Sequence, residues 1–561
     1  MDRRTLLALL LTAIVIVVTP MFFPSAKAPK RPRTDTTSIA RPDSIAQKAS
    51  APAVAPHPDS VDSQRSRPAT QPPVVRAEST VVSTERAQFT IASPGATPVR
   101  VVLPDYTSLR PGTTPGTRVS IVDAGDRLFH LALTNGRDTV ALDTVAFRAE
   151  PRRIAGNTVE QTFTTASAAL PITLTYTFVR DSFVTHVSGV VNASPSASWR
   201  VLVTLPQHIR SDEANATDDI RHLSVAYKRR SDEVTSISFR SLDTLATRVD
   251  TGAIRWVAER NKYFIVALVP GSKGADSTFR SLALRGGPRT GKEATQVHAT
   301  AELLAPNGHF SFSVFAGPQA WDHLRKTAAD LENVNPYGGW LHGVVQPFAT
   351  IVMRVVLWMR HTLNVSYGWV LIILGIAIRL LLWPLNQKAM RSSMAMQRLQ
   401  PELTELQRKY KNDPEKQRDA MMKLYQSHGM SPFSPVMGCL PMLLPMPILF
   451  ALYFAFSNTI ELRGVPFLWL PDLSLRDPYY ITPLFMGVSM FVLSWIGMRG
   501  MPPSPQGKTM SYMMPVMMTA IFWNFASGLN LYYAVQNVAA LPQQWLLARE
   551  RSANQKPPPS S

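Results

Sequence analysis

Residues Tyr367–Leu385 read YGWVLIILGIAIRLLLWPL, an apolar run that contains a single charged side chain, Arg379. About 17–25 predominantly apolar residues are enough for a helix to cross the hydrocarbon core of a bilayer. The run therefore predicts a membrane-spanning helix. It also indicates that the C-terminal part of this 561-residue chain is a helical membrane protein.

Apolar runs of similar character follow toward the C-terminus. We predict a core over residues 367–547 with five spans, at about 367–385, 433–457, 481–498, 510–525 and 529–547. Pro441, Pro445 and Pro447 interrupt the second of these spans. Breaks in a spanning helix are tolerated where the backbone faces protein or water rather than lipid. A broken helix near a lone arginine favours an open groove over a tight bundle.

A polar segment, residues 386–430, separates the first two of these spans. Its apolar residues recur at helical spacing until Asn412-Asp413-Pro414 breaks the pattern, which predicts a helical hairpin. An excess of Lys and Arg favours a cytoplasmic location for such a segment. The basic residues include Arg398, Arg408, Lys409 and Lys411. A solvated charged face without further function would have the same composition.

Residues 85–330 alternate apolar and polar side chains in short runs such as Val99–Leu103, Thr173–Val179 and Phe264–Val269. Many short strands separated by turns are typical of an antiparallel β-sandwich. The turn signals are Pro111-Gly112, Asn135-Gly136 and Asn307-Gly308. The predicted fold class is thus a multi-domain membrane protein with an exterior antiparallel β-sandwich and an α-helical core.

Residues 331–366 connect this domain to the core and predict an amphipathic helix at the membrane surface, with Trp340 and Trp358 as anchors. At the other end, residues 1–24 predict an N-terminal membrane anchor, and residues 25–84, rich in Pro, Ser and Thr, predict a disordered linker. A cleaved signal peptide is the alternative, since Ala26-Lys27-Ala28 matches a cleavage site.

The distribution of charge predicts the topology. The hairpin, the 499–509 loop and the tail 548–561 are basic and are expected in the cytoplasm, whereas the 458–480 loop is expected outside. With the anchor, this alternation requires six spans, both termini in the cytoplasm and the β domain in the periplasm. The predicted location is a bacterial inner membrane.

Few residue patterns in this chain indicate catalysis. The net charge of +19 comes from scattered Lys and Arg rather than from a basic stripe with aromatic residues, which argues against nucleic acid as a partner. The single cysteine, Cys439, excludes an internal disulfide. Gly286, Gly291 and Lys292 approach a phosphate-binding loop, but Glu293 replaces its Ser or Thr. We therefore predict no enzyme, no metal and no cofactor.

Arg379 is the candidate functional residue, because a charge inside a span is costly and usually faces water or a partner. The five spans contain no Asp or Glu that could pair with it. It could instead extend its head group to the interface, because about five residues of helix separate it from Pro384. Polar residues in or beside the last two spans that would favour a wet cavity include Asn524, Tyr532, Tyr533 and Gln536.

Residues 337–547 resemble the YidC family of membrane protein insertases, in the form that has a large periplasmic domain. The matching motifs run in order along the chain. They are Tyr367-Gly368-Trp369, Arg379 with Trp383-Pro384-Leu385, Leu399-Gln400-Pro401, Met446-Pro447-Ile448, Glu461-Leu462-Arg463, Asp477-Pro478-Tyr479-Tyr480, Met514-Pro515, and Ser527-Gly528-Leu529 with Leu531-Tyr532-Tyr533.

The resemblance implies a chaperone and insertase that works alone or with the Sec translocon, through a hydrophilic groove and without nucleotide hydrolysis. Arg379 would draw polar substrate segments inward, and the hairpin would recruit nascent membrane proteins and contact ribosomes. The apolar substrate segment would slide past Met442, Pro447, Phe450 and Met514. Pro445 and Gln536 depart from the residues common in the family, and the exterior domain resembles a β supersandwich of the sugar-binding type.

Two other functions compete with this interpretation. A small-solute transporter would be expected to show internal repeats and paired broken helices, and we find no repeat across the five spans. A membrane-anchored sugar-binding periplasmic protein would need a cluster of His, Asp and Glu. The histidines of the β domain are spread along the chain, at His130, His186, His208, His222, His298 and His309.

Overall fold

The computed structural model describes residues 78–166, 170–192, 199–271, 277–290, 293–335, 342–387, 399–410, 413–427, 446–499 and 505–553. The predicted N-terminal anchor lies outside the described residues. So do Trp340, Arg398, Lys411, Cys439 and Met442.

The N-terminal described part is built of antiparallel strands. They are β1 (Ser79–Ser83), β2 (Gln88–Ala92), β3 (Pro98–Thr107), β4 (Arg118–Ser120), β5 (His130–Thr134), β6 (Thr139–Ala141), β7 (Phe147–Ala149), β8 (Arg153–Ala155), β9 (Thr158–Thr165), β10 (Ile172–Val179), β11 (Val184–Val191), β12 (Trp199–Thr204), β13 (Ser224–Arg229), β14 (Val234–Ser238), β15 (Arg248–Arg260), β16 (Phe264–Pro270), β17 (Phe279–Gly286), β18 (Arg289–Thr290), β19 (Glu293–Ala294), β20 (Val297–Ala305) and β21 (His309–Pro318). The prediction of an antiparallel β domain is confirmed.

Fifteen strands form one large sheet. Its main path runs β6-β5-β12-β20-β17-β15-β16-β21-β11-β10-β9-β7, while β13 pairs with β15, β14 with β13, and β8 with β9. β1 to β4 form a second sheet. β1 lies inside the segment predicted as a linker, so the first strand of the described residues begins at Ser79, ahead of the predicted boundary at residue 85. The valines of β1 supply the β propensity that the surrounding Ser and Thr obscured.

Side-chain periodicity explains the large sheet. In β10 every second residue is buried, as the alternating run predicted, because successive side chains of a strand point to opposite faces. β16 is apolar almost throughout, and all but one of its residues are buried. The two sheets share one hydrophobic core, where the ring centroids of Phe89 in β2 and Phe178 in β10 lie 4.9 Å apart.

The helices follow in chain order. They are α1 (Ala216–Arg221), α2 (Trp321–Thr327), α3 (His342–Leu363), α4 (Tyr367–Leu381), α5 (Gln400–Lys409), α6 (Pro414–Ser427), α7 (Met446–Asn458), α8 (Ile481–Met498), α9 (Pro505–Phe522) and α10 (Ser527–Ala553). α5 and α6 form the predicted helices of the polar hairpin. α3 to α10 make up the helical core, and one apolar cluster joins side chains of α3, α4, α7 and α10.

Length and hydropathy distinguish these helices. Among the described residues, α8 is the one helix that is long enough and apolar enough to cross a membrane by itself. α3 and α4 reach that length and hydropathy only as a pair, which is bent by 120°. Residues Ser511–Phe522 of α9 form a shorter apolar helix. α8 has the bounds predicted from the sequence, whereas the second predicted span lies partly outside the described residues.

The β domain and the helical core are joined by the segment that follows α7. Ile460 is 5% exposed and belongs to the hydrophobic core of the β domain. Two residues later, Leu462 belongs to the apolar cluster of the helical core. This short segment is therefore packed into both parts of the protein.

Candidate functional site

Arg379 lies in the last turn of α4 and is half-buried. Its Nη2 donates to Oε1 of Gln543 in α10 at 3.0 Å. Among the described residues, Arg379 forms no salt bridge, and its buried Nε has no hydrogen-bond partner. The cation is thus held by a neutral amide rather than by a carboxylate.

A line of polar side chains continues along α10. Nε2 of Gln536 donates to the hydroxyl of Tyr532 at 2.7 Å and to the carbonyl of Gly375 in α4 at 3.0 Å. Tyr532, Gln536 and Gln543 are four and seven residues apart, which places them on one face of a helix. We call Arg379, Tyr532, Gln536 and Gln543 the polar seam between α4 and α10.

Sequence reasoning missed Gln543. It is 2% exposed, and its Nε2 also donates to the carbonyl of Trp383 at 3.0 Å. Its position seven residues after Gln536 was the available signal. That signal was weak, because a glutamine at the end of an apolar run resembles an ordinary residue of the membrane interface.

The other two predicted groove residues, Tyr533 and Asn524, lie away from Arg379. Tyr533 is half-buried and packs edge-on against Phe522, with ring centroids 5.1 Å apart. Asn524 is exposed in the turn between α9 and α10. The structure does not bring Asn524 to Arg379, because Asn524 precedes the start of α10 at Ser527, and Gln543, the partner of Arg379, lies about 24 Å further along that helix at 1.5 Å per residue.

The predicted slide and hairpin residues are placed as follows. Pro447 and Phe450 lie in the first turns of α7, and Met514 is half-buried in α9. Arg408 and Lys409 are exposed near the end of α5. Leu399 is buried, and Leu403, Leu406 and Tyr410 are half-buried, so this stripe forms the less accessible face of the hairpin.

The β domain contains small clusters of titratable residues. Nδ1 of His130 lies 2.7 Å from Asp143, and Nε2 lies 3.0 Å from Asp126. Within the described ranges, no group of three or more His, Cys, Asp or Glu residues could hold a metal ion. Gly286 ends β17, and Gly291 and Lys292 of the predicted near-match to a phosphate loop lie outside the described residues.

Two known protein families together match almost the whole described part of the chain. Residues 79–351 match the family described as the YidC periplasmic domain, and residues 358–555 match the 60Kd inner membrane protein family. A membrane protein insertase YidC from Ralstonia nicotianae is 30% identical over 96% of this chain and 94% of its own length. One from Chlorobium luteolum is 28% identical over 99% and 97%.

Other matches are shorter or more distant. A YidC insertase from Syntrophus aciditrophicus is 35% identical, over about half of each chain (53% and 52%). A crystal structure of an active YidC insertase with its first transmembrane domain resolved covers 84% of this chain and 93% of its own, at 19% identity and a TM-score of 0.33. A galactose mutarotase-like protein from Lactobacillus casei covers 43% and 100%, at 11% identity and a TM-score of 0.28.

The sequence matches define an inner-membrane protein with a large periplasmic domain and a helical membrane core. The chain belongs to the YidC family of membrane protein insertases. This confirms the predictions of a non-enzymatic insertase and of membrane proteins as its substrates.

Proposed function

We propose that the polar seam lines a hydrophilic groove that receives the polar segments of substrate proteins. The observation that supports this is the environment of Arg379. Its charge lies within an apolar helix, it forms no salt bridge among the described residues, and its partner is the neutral amide of Gln543. A cation inside a span costs about 2.5–3.5 kcal/mol on insertion scales, a cost offset where water or an anionic segment meets it.

The proposed mechanism uses this arrangement without nucleotide hydrolysis. Arg379 attracts an acidic or polar segment of the substrate part of the way across the membrane, because no carboxylate among the described residues pairs with its charge. The apolar segment of the substrate then moves along α7 and α9, past Met442, Pro447, Phe450 and Met514, into the lipid. Transfer of its apolar surface to lipid, worth about 25 cal/mol per Å², drives insertion.

The relative directions of the helices support the predicted topology of five core spans. Gly375 and Arg379 of α4 contact Gln536 and Gln543 of α10 in the same order, so these helices run parallel. Met486 and Gly497 of α8 contact Asn537 and Arg551 of α10 in the same order as well. Parallel first, third and fifth spans are what alternating crossing of the membrane requires.

We propose that the end of the core joined to the β domain faces the periplasm, and that the seam end near Gln543 faces the cytoplasm. With the N-terminal anchor, both termini would be cytoplasmic. The hairpin with Arg408 and Lys409 would then lie beside the groove entrance, where it recruits nascent chains and contacts ribosomes. The β domain, a supersandwich on the interpretation above, would lie where it could meet the Sec translocon.

Reconstitution tests this proposal. The purified full-length protein is placed in nucleotide-free liposomes with a single-span client that has an acidic N-terminal tail, and protease-protected insertion is measured. We expect insertion above that of empty liposomes. We expect Arg379→Ala to lower it by about tenfold, the effect of about 1.4 kcal/mol.

Arg499→Ala is the matched control. Arg499 directly follows α8, is exposed, stacks on Trp495 and lies outside the polar seam. It should insert the client like the wild type. A wild-type protein that inserts no better than empty liposomes would contradict the proposed autonomous mechanism. Equal activity of Arg379→Ala and the wild type would contradict the role of the arginine.

A further inference from the structure

The buried side chain of Gln543 makes one hydrogen bond to α4 and a second to the backbone just beyond its end. Its Oε1 accepts from Nη2 of Arg379 at 3.0 Å, and its Nε2 donates to the carbonyl of Trp383 at 3.0 Å. The carbonyl of Trp383 lies beyond the last residue of α4, Leu381. The amide therefore connects Arg379 to the backbone just past the end of the same helix.

The donor and acceptor groups of the amide require Oε1 of Gln543 to face Arg379 and Nε2 to face the carbonyl of Trp383. A glutamine side chain has one carbonyl oxygen that accepts and one NH₂ group that donates. Because a guanidinium only donates and a backbone carbonyl only accepts, the side chain fits this position in one orientation. Gln543 is 2% exposed, so water cannot easily replace either bond.

An amide at position 543 also leaves the positive charge of Arg379 without a neutralising partner. A glutamate at position 543 could accept from Arg379 equally well, but it would neutralise the cation and lose the bond to Trp383. Opposite charges at hydrogen-bond distance in a poorly hydrated site interact far more strongly than in water. An amide fixes the guanidinium and leaves its positive charge available to an incoming anion.

We infer that Gln543 is a positioning residue, which holds Arg379 toward the groove while keeping it un-neutralised, and so determines how strongly the protein favours clients with acidic tails. This inference rests on the groove function proposed above. Gln543 acts through Arg379 and is not itself expected to touch the client.

The test compares two clients that differ only in the tail, one acidic and one with Asn and Gln in place of Asp and Glu. In the liposome assay, Gln543→Glu should lower insertion of the acidic client about fivefold or more. It should change insertion of the neutral client less than about twofold, and in an Arg379→Ala background it should have no further effect. The neutral client also shows that the variant is folded.

Gln544→Leu is the matched control, because it removes an adjacent glutamine of α10 whose amide approaches Gly497 of α8 rather than α4. It should leave the ratio between the two clients unchanged. Equal losses with both clients, or a loss by Gln543→Glu that persists without Arg379, would overturn the inference.

A second measurement does not depend on insertion. The melting temperatures of Arg379→Leu, Gln543→Leu and the double variant form a cycle, and the two effects should be clearly non-additive because the side chains are bonded. Additive effects would overturn the inference even in a protein that inserts no client. A non-additive cycle together with inactive wild-type protein would instead contradict only the proposed function.

Discussion

Nε of Arg463 lies 2.8 Å from Oε1 of Glu213, and their side chains are only 3% and 6% exposed. Arg463 belongs to the segment after α7, whereas Glu213 belongs to the β domain. Nη2 of Arg463 also donates to the carbonyl of Asp212, and its guanidinium lies over the ring of Phe264, 5.4 Å from the centroid. This buried ion pair, with Ile460 nearby in the β core, makes the contact between the two parts a packed joint.

Removing Arg463 should therefore destabilise the joint strongly. Burial raises the pKa of Glu213 to about 7, although the charge of Arg463 opposes that rise. Arg463→Ala would leave Glu213 buried without its partner, and breaking such a pair costs about 3–5 kcal/mol. We expect a lower melting temperature of the full-length protein and faster trypsin cleavage between the β domain and the core.

Arg476→Ala is the control for that experiment, since Arg476 lies in the same inter-helix segment but is exposed. It should melt like the wild type. Replacing Glu213 by Gln in the Arg463→Ala protein should recover part of the lost stability, because a neutral amide is less costly to bury. If Arg463→Ala melted at the wild-type temperature, the pair would not stabilise the joint.

The sequence predicted those features that depend on local periodicity. The alternating run located β10, and α8 has its predicted bounds. A strand was also predicted correctly at β16, although its residues are apolar throughout and almost all buried rather than alternating. The joint could not be predicted, because Arg463 and Glu213 are 250 residues apart and neither lies in a periodic pattern. Gln543 was missed for a similar reason, since only folding brings its amide beside Arg379.

The start of α4 offers a prediction about packing. A Cβ added to Gly368 would lie 2.1 Å from the ring of Phe467, which is too close for any real contact. Gly368→Ala should therefore displace that ring or the helix and destabilise the protein by about 1–3 kcal/mol. Thermal unfolding of the purified full-length protein measures this loss.

Gly343→Ala in α3 is the matched control, because a Cβ there would meet nothing within 4 Å. It should be neutral or stabilising by up to about 1 kcal/mol, since alanine favours the helix over glycine. Combining Gly368→Ala with Phe467→Leu should lessen the damage if the ring is the obstacle. Equal stability of the two glycine variants would contradict the proposed close contact.

The β domain should show a pH dependence that arises from His130. Hydrogen bonds to Asp126 and Asp143 raise the pKa of His130 to about 9, despite its partial burial. Because the folded state prefers the protonated ring, this stabilisation is fully present below the ordinary histidine pKa of about 6.5 and is lost as the pH rises through 9. Because His130 is partly exposed to solvent, we expect this stabilisation of the folded state to be about 2 kcal/mol.

The measurement is the unfolding free energy of the full-length protein between pH 6 and pH 9.5, for the wild type and His130→Gln. Stability of the wild type should fall across this range, and the variant should lose that part of the slope. Comparison of the two proteins removes the contribution of Glu213, which titrates in both. Identical slopes would show that the two carboxylates do not hold His130 in its protonated form.

The segment before α8 is organised around Asp477, whose side chain is 1% exposed. Its carboxylate accepts from the backbone N–H of Thr482 at 2.7 Å, from that of Tyr479 at 2.9 Å and from the indole of Trp469 at 3.2 Å. Asp477→Ala would leave these donors without their partner, and we expect a loss of about 2–3 kcal/mol. Thermal unfolding should show it.

Asp413→Ala is the control for Asp477→Ala, because it removes a carboxylate that also accepts from a backbone N–H but lies in an exposed part of the chain. Asp413 accepts from the backbone N–H of Lys416 at 3.1 Å in the exposed hairpin, where the loss should stay below about 1 kcal/mol. Hydrogen exchange in the first turn of α8 should rise in Asp477→Ala but not in Asp413→Ala, because the Thr482 amide lies in that turn. Unchanged protection there would mean that Asp477 does not hold the start of α8.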